Sequence, residues 1–316
     1  MLQNGSQNIN NPLQNPQSSK NQNQINNSQQ SQKNNNQFNN IDNNTDSQPE
    51  SIKENNNDKN KTALLENVMS IEYENAIREQ IQLTMPLISE LLPINSLLDD
   101  YKNNYEYSNS IKEITTKYKS IRKVRRDGNC FYRSFIYRLF EYICMKNKED
   151  LFKHIKTKIT DAKDLIERNG YDWTFIQDFY NLFYTQFYHS FNSLETKQTT
   201  VRDYLDALFS DKEAGNYLIY FIRFCIAAYL KENSYLYEVY VDIPFQNWIT
   251  NEVEAIDHEA EQIQIMACVN YFDIGVKIVY LHPNKNEVMK FPEDKPDKDI
   301  FITVLFTPGH YDILYE

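Results

Sequence analysis

Cys130 stands one residue after Gly128-Asn129 and opens an aromatic-rich run, in the stretch RRDGNCFYRSF from Arg125 to Phe135. A lone thiol has two readings: a small buried hydrophobe, or a nucleophile held at a helix start. Gly128 permits a backbone geometry closed to other residues, so a sharp strand-to-helix turn can expose the thiol at the helix N-terminus. There the helix dipole and a neighbouring imidazolium favour thiolate and would lower its pKa from about 8.5 to about 3.5–7.5. The unpaired N–H groups of the same first turn, including those of Cys130 and of the loop near Asp127, are placed to hold an oxyanion.

A nucleophilic cysteine needs a base, and five histidines are available: His154, His189, His258, His282 and His310. His154 and His189 fall inside helical stripes and His258 in an acidic, polar segment, which favours packing or surface roles. His282 precedes Pro283 in a turn. His310 follows a Pro-Gly turn and stands two residues before Asp312 in a predicted strand, where alternation puts both side chains on one face. A carboxylate there can take the proton of one ring nitrogen, fix the tautomer and leave the other nitrogen to a nucleophile. A hairpin-mouth histidine with an incidental acidic neighbour is the competing reading.

The elements that must carry these residues can be read from periodicity. Phe131, Phe135, Leu139, Phe140 and Ile143 make one apolar stripe, which predicts a helix of about 16 residues starting at Cys130. Further helices are expected at Leu151–Arg168, FIQDFYNLFYTQFYHSF, VRDYLDALF, Tyr217–Leu230 and Ala260–Tyr271, with their aromatic stripes in the core rather than around a cofactor. IGVKIVYL (Ile274–Leu281) and IFITVLF (Ile300–Phe306) are β-branched strands, and HYDILY after Pro308-Gly309 folds back as a hairpin. Helices first and a sheet completed at the C-terminus argue for an α/β layer fold.

Upstream, Tyr73, Ile77 and Ile81 recur every four residues until Pro86, and PLISELLPINSLLDDY continues the amphipathic pattern in shorter pieces. This is a helical arm leading into the domain. Residues 1–60 contain 31 Asn or Gln and almost no large apolar side chain, so they are expected to be a disordered tail. A passive solvated extension is favoured over a self-associating tract by its scattered charges and prolines. The organisation expected is thus a tail over 1–60, an arm over 61–120 and a catalytic domain over 121–316, arm and domain forming one folded unit.

Composition narrows the partners. Nearly all of the net charge of −11 belongs to the part beyond the tail, which repels a phosphate backbone. The one dense basic cluster, KYKSIRKVRR (Lys117–Arg126), reads as a solvated surface before a buried segment. Nucleic acid is therefore not an expected partner. Cys130, Cys144, Cys225 and Cys268 form no CxxC pair and have no closely spaced histidine, which fits neither a zinc site nor a disulfide framework. The longest apolar stretch, YLIYFIRFCIAAYL, is 14 residues interrupted by Arg223, and no signal sequence opens the chain. No membrane association is expected; reduced thiols and a cytoplasmic location, compatible with the nucleus, are.

DGNCFYRSF at Asp127–Phe135 and PGHYDILY at Pro308–Tyr315 resemble the two signature blocks of the otubain branch of the ovarian-tumour (OTU) cysteine proteases, which remove ubiquitin. KYKSIRKVR, MPLISELL, EDKPDKDIFITVLF and NEVEAI are similar to otubain segments in the same order, so the resemblance covers about residues 75–316. It implies a papain-like α/β (OTU) fold, with a central sheet flanked by helices and an N-terminal helical arm. In it Cys130 would be the nucleophile, His310 the general base and acid, and Asp312 the orienting carboxylate, with the backbone N–H of Asp127 in the oxyanion hole. Two positions depart from the family pattern. Arg126 stands where otubains usually have Pro, and EQIQI (Glu261–Ile265) replaces the family's DHIHI, so no histidine there can help bind ubiquitin.

The resemblance implies a thiol isopeptidase that cleaves polyubiquitin, of the proteasome-targeting linkage type, without metal or organic cofactor. Ubiquitin and polyubiquitin are the expected partners. The alternative within the family is a regulator that holds ubiquitin and a ubiquitin-conjugating enzyme without needing its thiol, for which the amphipathic arm is a plausible helix-in-groove element. A papain-like hydrolase acting on other peptides is the third reading.

Overall fold

The computed structural model describes Met69, Glu72, Tyr73, Ala76 and Ile77 together with residues 79–192, 198–283 and 285–316; the expected tail, residues 1–60, lies outside the described residues. The arm is helical through residue 84, where Met85 N–H closes the last turn on the Ile81 carbonyl at 2.9 Å. It stops before Pro86, whose ring and missing N–H cannot continue a helix.

The segment after Pro86 differs from the expected run of short helices. Ile88 bridges to Val124, and the chain then forms β1 (Leu92–Pro93), α1 (Ser96–Asp100), α2 (Ser108–Lys117) and β2 (Ser120–Arg122). The helical body comes next as α3 (Cys130–Met145), α4 (Glu149–Arg168), α5 (Trp173–Asn192), α6 (Gln198–Ser210) and α7 (Lys212–Glu232). Two short helices, α8 (Ser234–Tyr237) and α9 (Phe245–Trp248), lead to a π-helical turn (Ile249–Glu254), of a kind frequent at functional sites. Helix α10 (Gln262–Phe272) then precedes β3 (Val276–Tyr280), β4 (Glu287–Phe291), β5 (Ile302–Thr307) and β6 (His310–Tyr315).

The sheet has the order β1-β2-β6-β5-β3-β4 and is mixed: β3 and β5 run parallel, while the other neighbours are antiparallel. Alternation along its strands feeds two cores. Ile278, Val304, Tyr311 and Ile313 face the large helical core, whereas Val279, Leu305 and Leu314 face a smaller one built with Ile94, Leu97, Ile111 and Ile114. The C-terminal end of the arm is thus the second layer of an α/β/α arrangement rather than an appendage.

Helix α3 is the centre of the large core, with 13 of its 16 residues buried. Phe140 meets Phe183, Phe187 and Phe209 at ring distances of 5.4, 5.1 and 6.0 Å. Part of the basic run that reads as a solvated surface is also buried. Arg122, only 1% exposed, donates to the Ser89 carbonyl at 2.7 Å, pairs with Asp206 at 3.0 Å and stacks on the Tyr137 ring. The reason is positional: strand alternation turns Arg122 inward, where carboxylate, carbonyl and ring offset its desolvation.

Among the described residues no helix is long and apolar enough to cross a membrane. Because α3 is packed on all sides, Phe140→Ala should cost about 3–5 kcal/mol. A urea titration checks this as a lowered midpoint at unchanged slope.

Candidate active site

Cys130 begins α3 and comes directly after Asn129, which occupies the N-cap. The preceding turn needs Gly128 in two ways. Its φ is +74°, and a Cβ there would lie 2.2 Å from the Asp257 carbonyl oxygen. Asp127 is held bidentately by the buried Arg133, both contacts at 2.9 Å, and accepts the Asn129 N–H at 3.0 Å. The loop is therefore tied to the helix it precedes.

The second half of the site comes from the β5–β6 hairpin. Register places Thr307 opposite His310, and the turn passes through Gly309 at φ +70°. His310 Nε2 lies 2.9 Å from Asp312 Oδ1, as strand alternation predicts. That oxygen also accepts the Val124 N–H at 2.8 Å, which fixes the carboxylate from the side of the cysteine loop. Facing a carboxylate, Nε2 carries the proton, so Nδ1 is left with its lone pair. Nδ1 is buried and has no hydrogen-bond partner among the described residues, as expected of a nitrogen reserved for a proton.

The two halves meet beside Cys130, where the Tyr311 backbone N–H acts to lower the thiol pKa and the rings of Phe131 and Tyr311 pack at 5.5 Å. Cys130, His310, Asp312 and Asp127, four residues spread over 186 positions of sequence, thus share one end of α3.

Two features differ from the sequence reading. Cys130 is 1% exposed, not presented to solvent. Burial pushes its thiol up to about 12, which Asp127 and Glu259 reinforce and which the Tyr311 N–H and Arg133 oppose. A helix dipole does not overcome the loss of water around a thiolate at a fully packed position. The Asp127 N–H, expected to face an oxyanion, donates to the Arg125 carbonyl at 3.1 Å.

Sequence reasoning missed Glu259. A Cβ at Gly309 would lie 2.8 Å from its Oε1, so the carboxylate rests against the turn that carries His310. Burial raises its pKa, against the lowering influence of His310 and Arg126. Arg126, at the usual proline position, donates to Thr307 Oγ1 at 3.2 Å, beside His310. On the arm side a cleft of ≈ 290 Å³ brings Met85, Tyr101, Lys123 and Arg126 together with His310 and Asp312. The EQIQI segment closes the start of α10: Glu261 and Gln264 form a capping box, with Gln264 buried. Its glutamine therefore has a structural use where the family has a histidine.

The remaining histidines are engaged elsewhere. His154 meets the Phe272 carbonyl at 3.0 Å, His258 the Glu252 carboxylate at 3.0 Å, His189 packs on Tyr204 and His282 stacks on Tyr280.

Residues 80–316 match the family model for peptidase C65, otubain. The chain belongs to the otubain family. It is 31% identical to human ubiquitin thioesterase OTUB1 over 265 residues, covering 79% of this chain and 93% of that one. With the otubain-like ubiquitin thioesterase of Caenorhabditis elegans it shares 29% over 247 residues, 75% of this chain and 84% of the relative. The solved structure of h/ceOTUB1-ubiquitin aldehyde-UBC13~Ub aligns with a TM-score of 0.71 at 25% identity, over 80% of this chain and 98% of that chain. The otubain resemblance and the α/β fold expected from the sequence are both correct.

Because Glu259 disfavours the thiolate, Glu259→Gln should lower the Cys130 pKa and raise the thiolate fraction at any pH below it. Alkylation by iodoacetamide at pH 7.5, followed at the Cys130 peptide by mass spectrometry, should accelerate. An unchanged or slower rate would remove Glu259 from the electrostatics of the thiol.

Proposed function

We propose that this otubain is a ubiquitin-specific thiol isopeptidase in which Cys130, His310 and Asp312 act as nucleophile, base and orienting group. The supporting observation is the His310–Asp312 pair, its Nδ1 unpartnered among the described residues, on the strand whose next residue, Tyr311, packs its ring on Phe131 beside Cys130. In the ground state the thiol is protonated, so attack begins with proton transfer from Cys130 to His310 Nδ1. The thiolate and imidazolium are created together, and their attraction offsets desolvation that neither charge could bear alone.

The thiolate then adds to the carbonyl carbon of the C-terminal glycine of ubiquitin. Developing charge on the carbonyl oxygen is taken by the N–H groups of Cys130, which has no acceptor in its own helix turn, and of Asp127. The latter must exchange its bond to Arg125 for the oxyanion. His310 next protonates the departing lysine amine, and Asp312 keeps the imidazolium oriented. Water deprotonated by His310 finally hydrolyses the thioester and restores the thiol.

Exposed apolar side chains indicate where ubiquitin could sit. Tyr235, Leu236, Val239, Tyr240 and Ile243 project from the connection after α7, and Met69, Tyr73 and Ile77 from the arm helix. The first set offers a surface for the ubiquitin that donates the glycine. The arm, which reaches the His310 cleft through Met85, offers one for the ubiquitin that leaves. The reading favours chains of the proteasome-targeting linkage, with the arm as selector. The second reading, a regulator holding ubiquitin and a conjugating enzyme, is favoured by similar structures that include UBC13~Ub and UBCH5B~Ub beside ubiquitin aldehyde.

Incubated with diubiquitins of every linkage, the wild type should release monoubiquitin from one type, and Cys130→Ala should release none while still binding ubiquitin. If wild type and variant inhibit a conjugation reaction equally and neither cleaves, the regulator reading replaces the isopeptidase. Removal of residues 1–85 should slow chain cleavage at least 10-fold more than it slows reaction with a fluorogenic monoubiquitin amide, on the order of what lost docking of a second module costs. Equal losses would rule out a docking role for the arm.

A further inference from the structure

Arg223 is the charged residue that interrupts the apolar helix α7, and it is 1% exposed. Its guanidinium is spent on neutral acceptors from two separate segments. One is the loop before the nucleophile: Nε and Nη2 donate to Asn129 Oδ1 at 3.0 and 2.7 Å, and Nη2 approaches the Gly128 carbonyl at 3.1 Å. The other is the end of the π-helical turn and the residues just after it: Nη1 donates to the Val253 carbonyl at 3.0 Å, and Nη2 reaches those of Ile256 and His258 at 3.1 and 2.6 Å. The guanidinium also stacks on the Tyr132 ring at 4.5 Å.

Packing alone does not call for such a residue. A buried cation is costly to desolvate, and a well-packed apolar side chain is often as stable or more so. What a guanidinium supplies is five N–H donors in one rigid plane, enough to bridge carbonyls from two chain segments; a lysine has a single point charge and three donors.

The geometry of one peptide unit shows what is fixed. A trans peptide points its C=O and N–H in opposite directions. In the Gly128-Asn129 peptide the oxygen faces Arg223, and the N–H donates to Asp127 Oδ1, itself clamped by Arg133. The unit is held from both ends by charge-assisted bonds, immediately before Cys130. On its other side the 253–258 segment abuts it at the Asp257 carbonyl, the atom a Cβ on Gly128 would strike. That segment continues directly into Glu259, which rests against Gly309.

We infer that Arg223 is a positioning residue for the isopeptidase reaction, locking the Gly128-Asn129 peptide and the 253–258 segment into one unit so that the groups around Cys130 hold their places before substrate arrives. The inference rests on the isopeptidase reading of the site. Its effect is on preorganisation, so it should appear in the chemical step and not in ubiquitin binding.

With the full chain and a fluorogenic ubiquitin C-terminal amide, Arg223→Gln should lower kcat about 100-fold, the scale of a displacement of about 1 Å at a reacting group, with KM within about twofold. Arg223→Lys should fall between it and wild type. Hydrogen exchange by mass spectrometry should show residues 125–131 and 253–259 of Arg223→Gln losing protection together, with β5 and β6 unchanged. Gly128→Ala keeps Arg223 but wedges the two segments apart, so it should reproduce the kcat loss, and it decides the matter if Arg223→Gln does not fold. In the cycle with Asn129→Ala, the double variant should be no more than about threefold slower than Arg223→Gln, because residues acting as a unit are not additive. Unchanged kcat, or exchange that rises uniformly over the chain as activity falls, would overturn the inference and leave Arg223 a packing residue. If the wild type turns over no ubiquitin substrate, the isopeptidase reading fails by itself. The exchange pattern then still decides the coupling: joint deprotection supports it and an unchanged pattern overturns it.

Discussion

The packing of α3 on every side is the constraint on which the rest of the site depends. A helix start normally leaves its first N–H groups and the preceding loop to water. Here Asn129 and Cys130 are buried with the helix, so each polar group of the DGN loop needs a protein partner. Asp127 and the Asn129 side chain are met by Arg133 and Arg223, and the turn itself is possible because Gly128 accepts a positive φ and leaves room for Asp257. A surface cysteine would need none of these devices and would have no fixed direction of attack.

The same burial governs electrostatics. A thiol this enclosed stays protonated, and nearby Asp127 and Glu259 add to that tendency. In the proposed reaction, charge separation between Cys130 and His310 is then favourable only as a pair, with Asp312 held against the imidazole and Val124 fixing Asp312. The hairpin register does the aiming. Thr307 opposite His310 places Tyr311 so that its ring packs on Phe131, next to Cys130. One-residue slippage of β6 would turn His310 and Asp312 to the opposite face.

Much of this architecture is legible in local pattern. The stripe Phe131, Phe135, Leu139, Phe140, Ile143 marks the 16-residue extent of α3, and alternation in HYDILY pairs His310 with Asp312. Strand β4 is not legible, because EVMKF is an exposed edge strand with mixed polarity and no clean period. Nor are β1 and β2, two and three residues long, which exist through pairing with each other and β6 rather than through local preference. Arg122 reads as solvated because charge in a basic run usually is; its burial depends on Ser89, Asp206 and Tyr137, all distant in sequence.

The sequence by itself determined the candidate groups Cys130, His310 and Asp312 and the local elements that carry them. Residue chemistry and the periods of helix and strand are short-range properties, readable within a dozen positions. Tertiary structure alone decided the state of those groups: the thiol enclosed and protonated, the Asp127 N–H turned to Arg125, Glu259 set against Gly309, and Arg223 joining two segments. Burial and electrostatic environment are sums over neighbours brought together from the whole chain, so no local window contains them.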